Sequence, residues 1–156
     1  MYIGNDPSGT TDGANYNLGI GVTTLDAITT GDNNIAVGHD ALTANTTGAK
    51  NLAIGKGALD AADTESNNIA IGYDALGGAV AGGEFNVAIG NNALDALTSG
   101  DSNIAVGHDA LTAHTTGLRN LAIGIGALDA ADTENDNIAI GYDALGGAVN
   151  LSLIHI

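Results

Sequence analysis

The phrase Asn-x-Ala-Ile/Val-Gly returns along this chain at a fixed interval, and that interval limits the folds open to it. The phrase ends at Gly21 (where Gly19 stands in the Ala place), Gly38, Gly55, Gly72, Gly90, Gly107, Gly124 and Gly141. Each glycine stands at i+17 from the one before, except for a step of i+18 between Gly72 and Gly90. Gly4 lies one further step of 17 upstream. Four residues before each glycine from Gly21 onward stands Asn, from Asn17 to Asn137. Four residues after it stands Leu, from Leu25 to Leu145, preceded by Ala except at Thr24. A unit this short cannot bury its own apolar side chains. Stacked copies bury them against one another.

A longer period lies over the short one. Residues 34–80 and 103–149 differ at six positions, among them Asn45 against His114 and Lys56 against Ile125. The larger unit is therefore four coils, so that Asn34 recurs as Asn103. The repeat domain covers 1–149, with four-coil units at 17–85 and 86–149, the second truncated. Copies this similar point to selection for a shape and a length rather than for a single site.

Within a coil, Ile35 and Val37 alternate with Ala36, which is strand spacing. The rest of the coil is rich in Thr, Asp and Gly, as turns are. The predicted fold is all-β: a parallel β-solenoid of about nine 17-residue coils. At about 4.8 Å per stacked strand the rod is roughly 40 Å long. The branched residues before each glycine and the Leu column are expected to fill the inside. The Asn column is expected to form a stacked amide ladder or to cap the turn into the strand. The Ala columns (Ala36, Ala53, Ala70 and Ala41, Ala58, Ala75) either fit a narrow coil or present a flat outer patch to other chains.

Composition narrows the function classes. The chain has 24 glycines, no cysteine and 3% aromatic residues, so its core is thin and made of Ala, Ile, Leu and Val. Eighteen acidic residues against three basic ones give a net charge of -15, which opposes binding to nucleic acid or an anionic membrane. No apolar run is long enough for a transmembrane helix, so no membrane insertion is expected from these residues.

Asn-Ile-Ala-Ile-Gly-Tyr-Asp-Ala-Leu, at 68–76 and again at 137–145, resembles the head repeats of trimeric autotransporter adhesins. The longer coil with Thr46-Thr47-Gly48 and Thr115-Thr116-Gly117 is similar to repeats in phage tail fibres and large bacterial surface proteins. The resemblance covers roughly residues 17–149. It implies a left-handed β-roll, a homotrimer, and a structural or adhesive shaft on a cell surface (outer membrane-anchored) or a virion tail. An unknown host or surface receptor would be its partner. No nucleophile constellation, phosphate loop or paired-carboxylate cleft stands out in the sequence, so no enzyme and no cofactor are expected. Asn150-Leu151-Ser152-Leu153-Ile154-His155-Ile156 leaves the repeat and resembles a translated transposon-adapter sequence. A non-native tail is expected at 150–156.

Several residues could carry chemistry instead. His39-Asp40 and His108-Asp109 pair a possible ligand or base with an orienting carboxylate. The two copies lie four coils apart, however, and the same column elsewhere holds Val22, Lys56, Tyr73, Asn91 or Ile125, as a variable surface position would. Gly72–Gly78 and Gly141–Gly147 match part of a calcium-binding nonapeptide. The Asp column (Asp40, Asp74, Asp109, Asp143) is interrupted by Gly57, Asn92 and Gly126, and solvated turn Asp is the plainer reading. The Thr column (Thr30, Thr47, Thr64, Ser99, Thr116, Thr133) suggests ice binding, but the second rank is mixed. A monomeric solenoid, calcium-stabilised or ice-binding, is the alternative function. Gly55-Lys56-Gly57 and Gly124-Ile125-Gly126 read as solenoid corners, since no helix follows them. Catalytic, cofactor and metal residues are expected to be none. The one longer coil, with Gly82-Gly83-Glu84-Phe85, reads as a single-residue bulge and a place for a partner contact.

Overall fold

The structure is a computed structural model and describes residues 2–4, 13–78, 83–130 and 132–147. One short strand forms in each coil: β1 Tyr2–Gly4, β2 Leu18–Gly21, β3 Ile35–Val37, β4 Leu52–Ile54, β5 Ile69–Ile71, β6 Val87–Ile89, β7 Ile104–Val106, β8 Leu121–Ile123 and β9 Ile138–Ile140. Each pairs in parallel with the next, in sequence order, as one sheet. The chain makes about seven turns of an all-β solenoid between β2 and β9. Register follows the repeat, so that Ala36 lies on Ala53, Ala53 on Ala70, and Ile54 on Ile71. The longer step does not disturb it. Ile69 still pairs with Val87, so the extra residue is taken up outside the strands. Of the expected bulge, Gly83, Glu84 and Phe85 are described; Gly82 lies outside the described residues, as does the expected tail at 150–156.

The coils are hydrogen-bonded on more than the strand side. The Leu N–H of each coil donates to the Ala carbonyl of the next, as in Leu42 to Ala58 (3.1 Å) and Leu94 to Ala110 (3.0 Å). A third ladder runs through the turn before the Asn, as in Lys50 N–H to the Asp32 carbonyl and Arg119 N–H to the Asp101 carbonyl. These bonds account for backbone groups that a thin coil would otherwise leave unpaired.

One expectation is overturned. The branched strand residues do not fill the interior. Ala36, Ala53, Ala70, Ala88, Ala105 and Ala122 are fully buried, and their Ile, Val and Leu neighbours point out. The second Ala column, from Ala41 to Ala127, is buried too. The interior therefore holds two files of Ala, one of Leu and the file of Asn, with Ile28 and Leu97 filling in. The reason is width. In a coil this short, with three sharp corners, the Leu and the residue three after it take the interior space, as Leu25 with Ile28 and Leu94 with Leu97, and the strand contributes only Ala. Strand alternation then sends both branched residues to the other face.

The corners explain the choice of residue types around them. Three positions per coil hold left-handed backbone: the residue before the Asn, the second residue after the glycine, and the Leu itself, as in Lys50, Asp40 and Leu42. Left-handed backbone costs an ordinary residue about 1–2 kcal/mol. At the second position after the glycine, from Gly38 onward, the chain uses Asp40, Gly57, Asp74, Asn92, Asp109, Gly126 and Asp143. Gly, Asn and Asp tolerate that conformation best. The interrupted Asp column is thus a column of corner residues.

Candidate interaction face

The outward positions of β2–β9 form two unbroken aliphatic files. One runs Leu18, Ile35, Leu52, Ile69, Val87, Ile104, Leu121, Ile138. The other runs Ile20, Val37, Ile54, Ile71, Ile89, Val106, Ile123, Ile140. No acidic residue occupies either file. Coil neighbours cover part of each side chain, yet Ile54, Ile89 and Ile123 remain 38%, 37% and 38% exposed. Seven steps of about 4.8 Å, two outward residues wide, give a flat strip roughly 34 Å long and about 10 Å across. Contiguous apolar strips of a few hundred Å² on an isolated chain mark interaction surfaces.

The residues singled out in the sequence fall elsewhere. His39 and His108 are about half exposed, each with Nδ1 against its own following carboxylate, Asp40 (2.5 Å) and Asp109 (2.8 Å). The fold does not bring the two together. In the same column Lys56 lies over the Tyr73 ring at 5.6 Å. These are neighbours on a variable outer edge. Among the described residues, no three His, Asp or Glu side chains gather to hold a metal ion. The outer Thr column is exposed, as expected of turns. The hydroxyls of Thr29 and Thr98 in the second rank donate to the carbonyls of Thr46 and Thr115 in the next coil (3.0 Å each). That rank is occupied with holding coils together.

Carboxylates do crowd one corner. Asp60 is raised above the usual carboxylate range by burial and then by the charge of Asp74, with Asp40 and Asp95 adding to it. Asp95 is raised likewise by burial and by Asp74 and Asp109. Elsewhere on the rod Arg119 donates two hydrogen bonds to Asp136, one coil on (2.6 and 2.8 Å). That contact holds the Asp136 carboxyl below its usual range. The first unit has Lys50 and Asn67 at these places. A neighbouring pair also changes together: Ala49 N–H donates to Ser66 Oγ, and Leu118 N–H to Asn135 Oδ1. Four of the six differences between the units are thus two cross-coil pairs. They vary the outside without touching the aliphatic files.

Sequence reading missed one interior feature. The seventh residue after the glycine points inward and is not always apolar: Ile28, Asn45, Ala62, Leu97 and His114 share that column, and all are buried. The signal available was that this column alternates among apolar residues and short polar ones without ever carrying a carboxylate. No known protein family, no characterised protein and no solved structure matches the chain.

Proposed function

We propose that this chain is a shaft segment of an extracellular fibre, a left-handed roll of nine coils that assembles as a homotrimer through its aliphatic face. The observation that carries the reading is the pair of aliphatic files, uncharged from β2 to β9 in a chain of net charge -15. Three such strips turned toward one axis exclude water from one another and leave the acidic corners outside. An alanine face does not serve this purpose, because both Ala columns are interior. The adhesin-like or tail-fibre-like role rests on the resemblance of the 68–76 and 137–145 phrases, and on a rod whose near-identical units set a length. In this reading the protein has no catalytic step. It holds a binding tip or surface away from a cell or a virion.

Sedimentation of the purified protein tests the assembly. The expected species has three times the 15.3 kDa chain mass. The double variant Ile71→Asp/Ile89→Asp places two charges side by side on the face and is expected to sediment as a monomer with an unchanged far-ultraviolet spectrum. A wild-type monomer at micromolar concentration, melting cooperatively, sinks the proposal.

A further inference from the structure

We infer that the two coils around His114 form an acid-sensitive joint, in which protonation of the buried imidazole breaks the Asn ladder at Asn120 and loosens the rod at that point. The first four-coil unit has no such joint. The inference goes beyond the assembly proposed above and holds whether or not copies associate.

The ring is walled in. His114 is fully buried, in the column that holds Asn45 in the first unit. A Cβ added at Gly117 would fall on the ring, as one at Gly48 would fall on Asn45 Oδ1. Ring Nε2 stands 3.1 Å from Asn120 Nδ2. The Asn120 amide is not free to flip. Its Oδ1 accepts the Asn137 backbone N–H (3.0 Å), and its Nδ2 donates to the Glu134 carbonyl (2.8 Å). The second Nδ2 hydrogen is shared between His114 Nε2 and Asn103 Oδ1 (3.1 Å each). A donor therefore faces Nε2, so Nε2 is the acceptor and the proton of the neutral ring sits on Nδ1. An imidazolium carries N–H on both nitrogens. It would set N–H against N–H in a site closed to solvent, where burial already disfavours the charge. Relief requires Asn120 or the ring to leave its place, and the ladder breaks there.

The charged groups around the ring are turned to other partners. On its own coil, His108 pairs with Asp109 and Arg119 with Asp136 of the next coil. On the coil before, Asp101 accepts the Glu84 N–H, and Asp95 faces Asp74 and Asp109. On the coil after, Glu134 accepts the N–H groups of Asp132 and Thr133 (2.9 Å each), Asp132 accepts the Thr115 hydroxyl, and Asp129 lies beside Gly126.

Five of the six differences between the four-coil units fall on this coil pair: His114, Leu118, Arg119, Asn135 and Asp136. Arg119 and Asp136 clasp the same two coils from outside, and the contact holds the Asp136 carboxyl below its usual range. The clasp keeps both charges at pH values where an imidazole gains its proton. Weak acid thus opens the inside of the joint while the outside holds.

In the open joint the imidazole takes a proton at its ordinary value, about 6.5. In the closed joint it does so only at lower pH. The open form therefore gains on the closed one as pH falls below about 6.5, by about tenfold per unit. Hydrogen exchange of the full chain, corrected for the intrinsic effect of pH, tests this. Between roughly pH 7.5 and roughly pH 5, protection at residues 111–120 should fall by about tenfold or more, and at residues 42–51 by less. In His114→Asn the fall should vanish; Asn45 shows that the space accepts that residue. Any effect of Asp60 and Asp95 is common to both proteins and cancels. The His114 ring-proton resonance, assigned by its loss in the variant, should stay in place down to roughly pH 6, where a solvated imidazole has already shifted. The proposal is overturned by a His114 resonance that moves like a solvated one. It is also overturned by a variant as acid-sensitive as the parent, or by a fall at 42–51 as large as at 111–120.

Discussion

Asn51 Oδ1 accepts the backbone N–H of Asn68 at 2.9 Å, while its Nδ2 donates to the Glu65 carbonyl at 2.7 Å. One side chain therefore ties three points of two coils from inside the rod. Asn51→Ala leaves a buried N–H and a buried carbonyl without partners, each at about 1–3 kcal/mol. Loss of roughly 2–5 kcal/mol by denaturant melting is expected. Among the described residues, Asn137→Ala removes one donor to Asn120 Oδ1, which also accepts the Asn137 backbone N–H. It should cost about 1 kcal/mol or less. Equal losses at the two sites would refute the ladder as the source of the asymmetry.

How much of this was legible in the sequence depends on the column. The period set coil length, strand position and register, because each depends only on spacing. The Asn ladder was legible too, since an uncharged amide repeated without exception has few other uses. Which strand face points inward was not. Ile35-Ala36-Val37 alternates equally well either way round, and large residues inside is the ordinary expectation. The corners decide it, through left-handed backbone at Leu42 and its equivalents, and a Leu in that conformation leaves no signature in sequence. Of the two readings of the Ala columns, the one in which they fit a narrow coil holds, and the outer apolar patch belongs to the branched strand residues instead.

Gly55 carries a tight version of the stacked-glycine constraint. Its φ is +140°, and an added Cβ would fall on the carbonyl group of Gly72. Both features oppose any side chain. Gly55→Ala is expected to lower the melting temperature by well over ten degrees or to prevent folding, with circular dichroism as the readout. Ala61→Gly, in an outer turn of the same coil, serves as a control and should cost under about 1 kcal/mol.

Asp60 and Asp95 give the rod an acid-side stability gain. Their folded values lie above the ordinary carboxylate value, through burial first and Asp74 second. The folded state therefore binds more protons than the unfolded chain between the two values, and stability rises as pH falls through the folded value. The penalty is fully present above that range and is relieved below it. With His114→Asn removing the opposing imidazole, melting temperature should be higher by a few degrees just above the ordinary carboxylate value than at pH 7. Asp60→Asn/Asp95→Asn should raise it at pH 7 and flatten this part of the profile. A double variant that melts lower at pH 7 contradicts the account.

Asn45 offers a route to a more stable rod. It sits fully buried in the column that Leu97 also occupies, and its Oδ1 has no partner while Nδ2 donates to the Gly48 carbonyl (3.0 Å). Leu97 brings its Cδ1 close to Gly100, the glycine equivalent to Gly48, so the space accepts Leu in this fold. Replacing a half-satisfied buried amide by an apolar side chain of similar size is neutral to stabilising. Asn45→Leu is expected to raise stability by about 1 kcal/mol in urea melts. A loss of more than about 1 kcal/mol would mean that the neighbouring Ile28 and Ala62 leave too little room.

The aliphatic face makes association depend on length. A stable interface buries about 800 Å² per partner. One strip of roughly 34 by about 10 Å falls short of that by itself, so each added coil should matter. Removing residues 34–102, one whole four-coil unit, keeps the register because Asn34 and Asn103 are equivalent. It also removes half of the files, from Ile35 to Ile89. The shortened chain is expected to remain β-rich by circular dichroism yet to dissociate at concentrations at least tenfold higher than the full chain in sedimentation equilibrium. A chain lengthened by a second copy of the 34–102 unit should move the other way. If all three lengths dissociate at the same concentration, the contact between copies lies at an end of the rod and the lateral face is not what joins them.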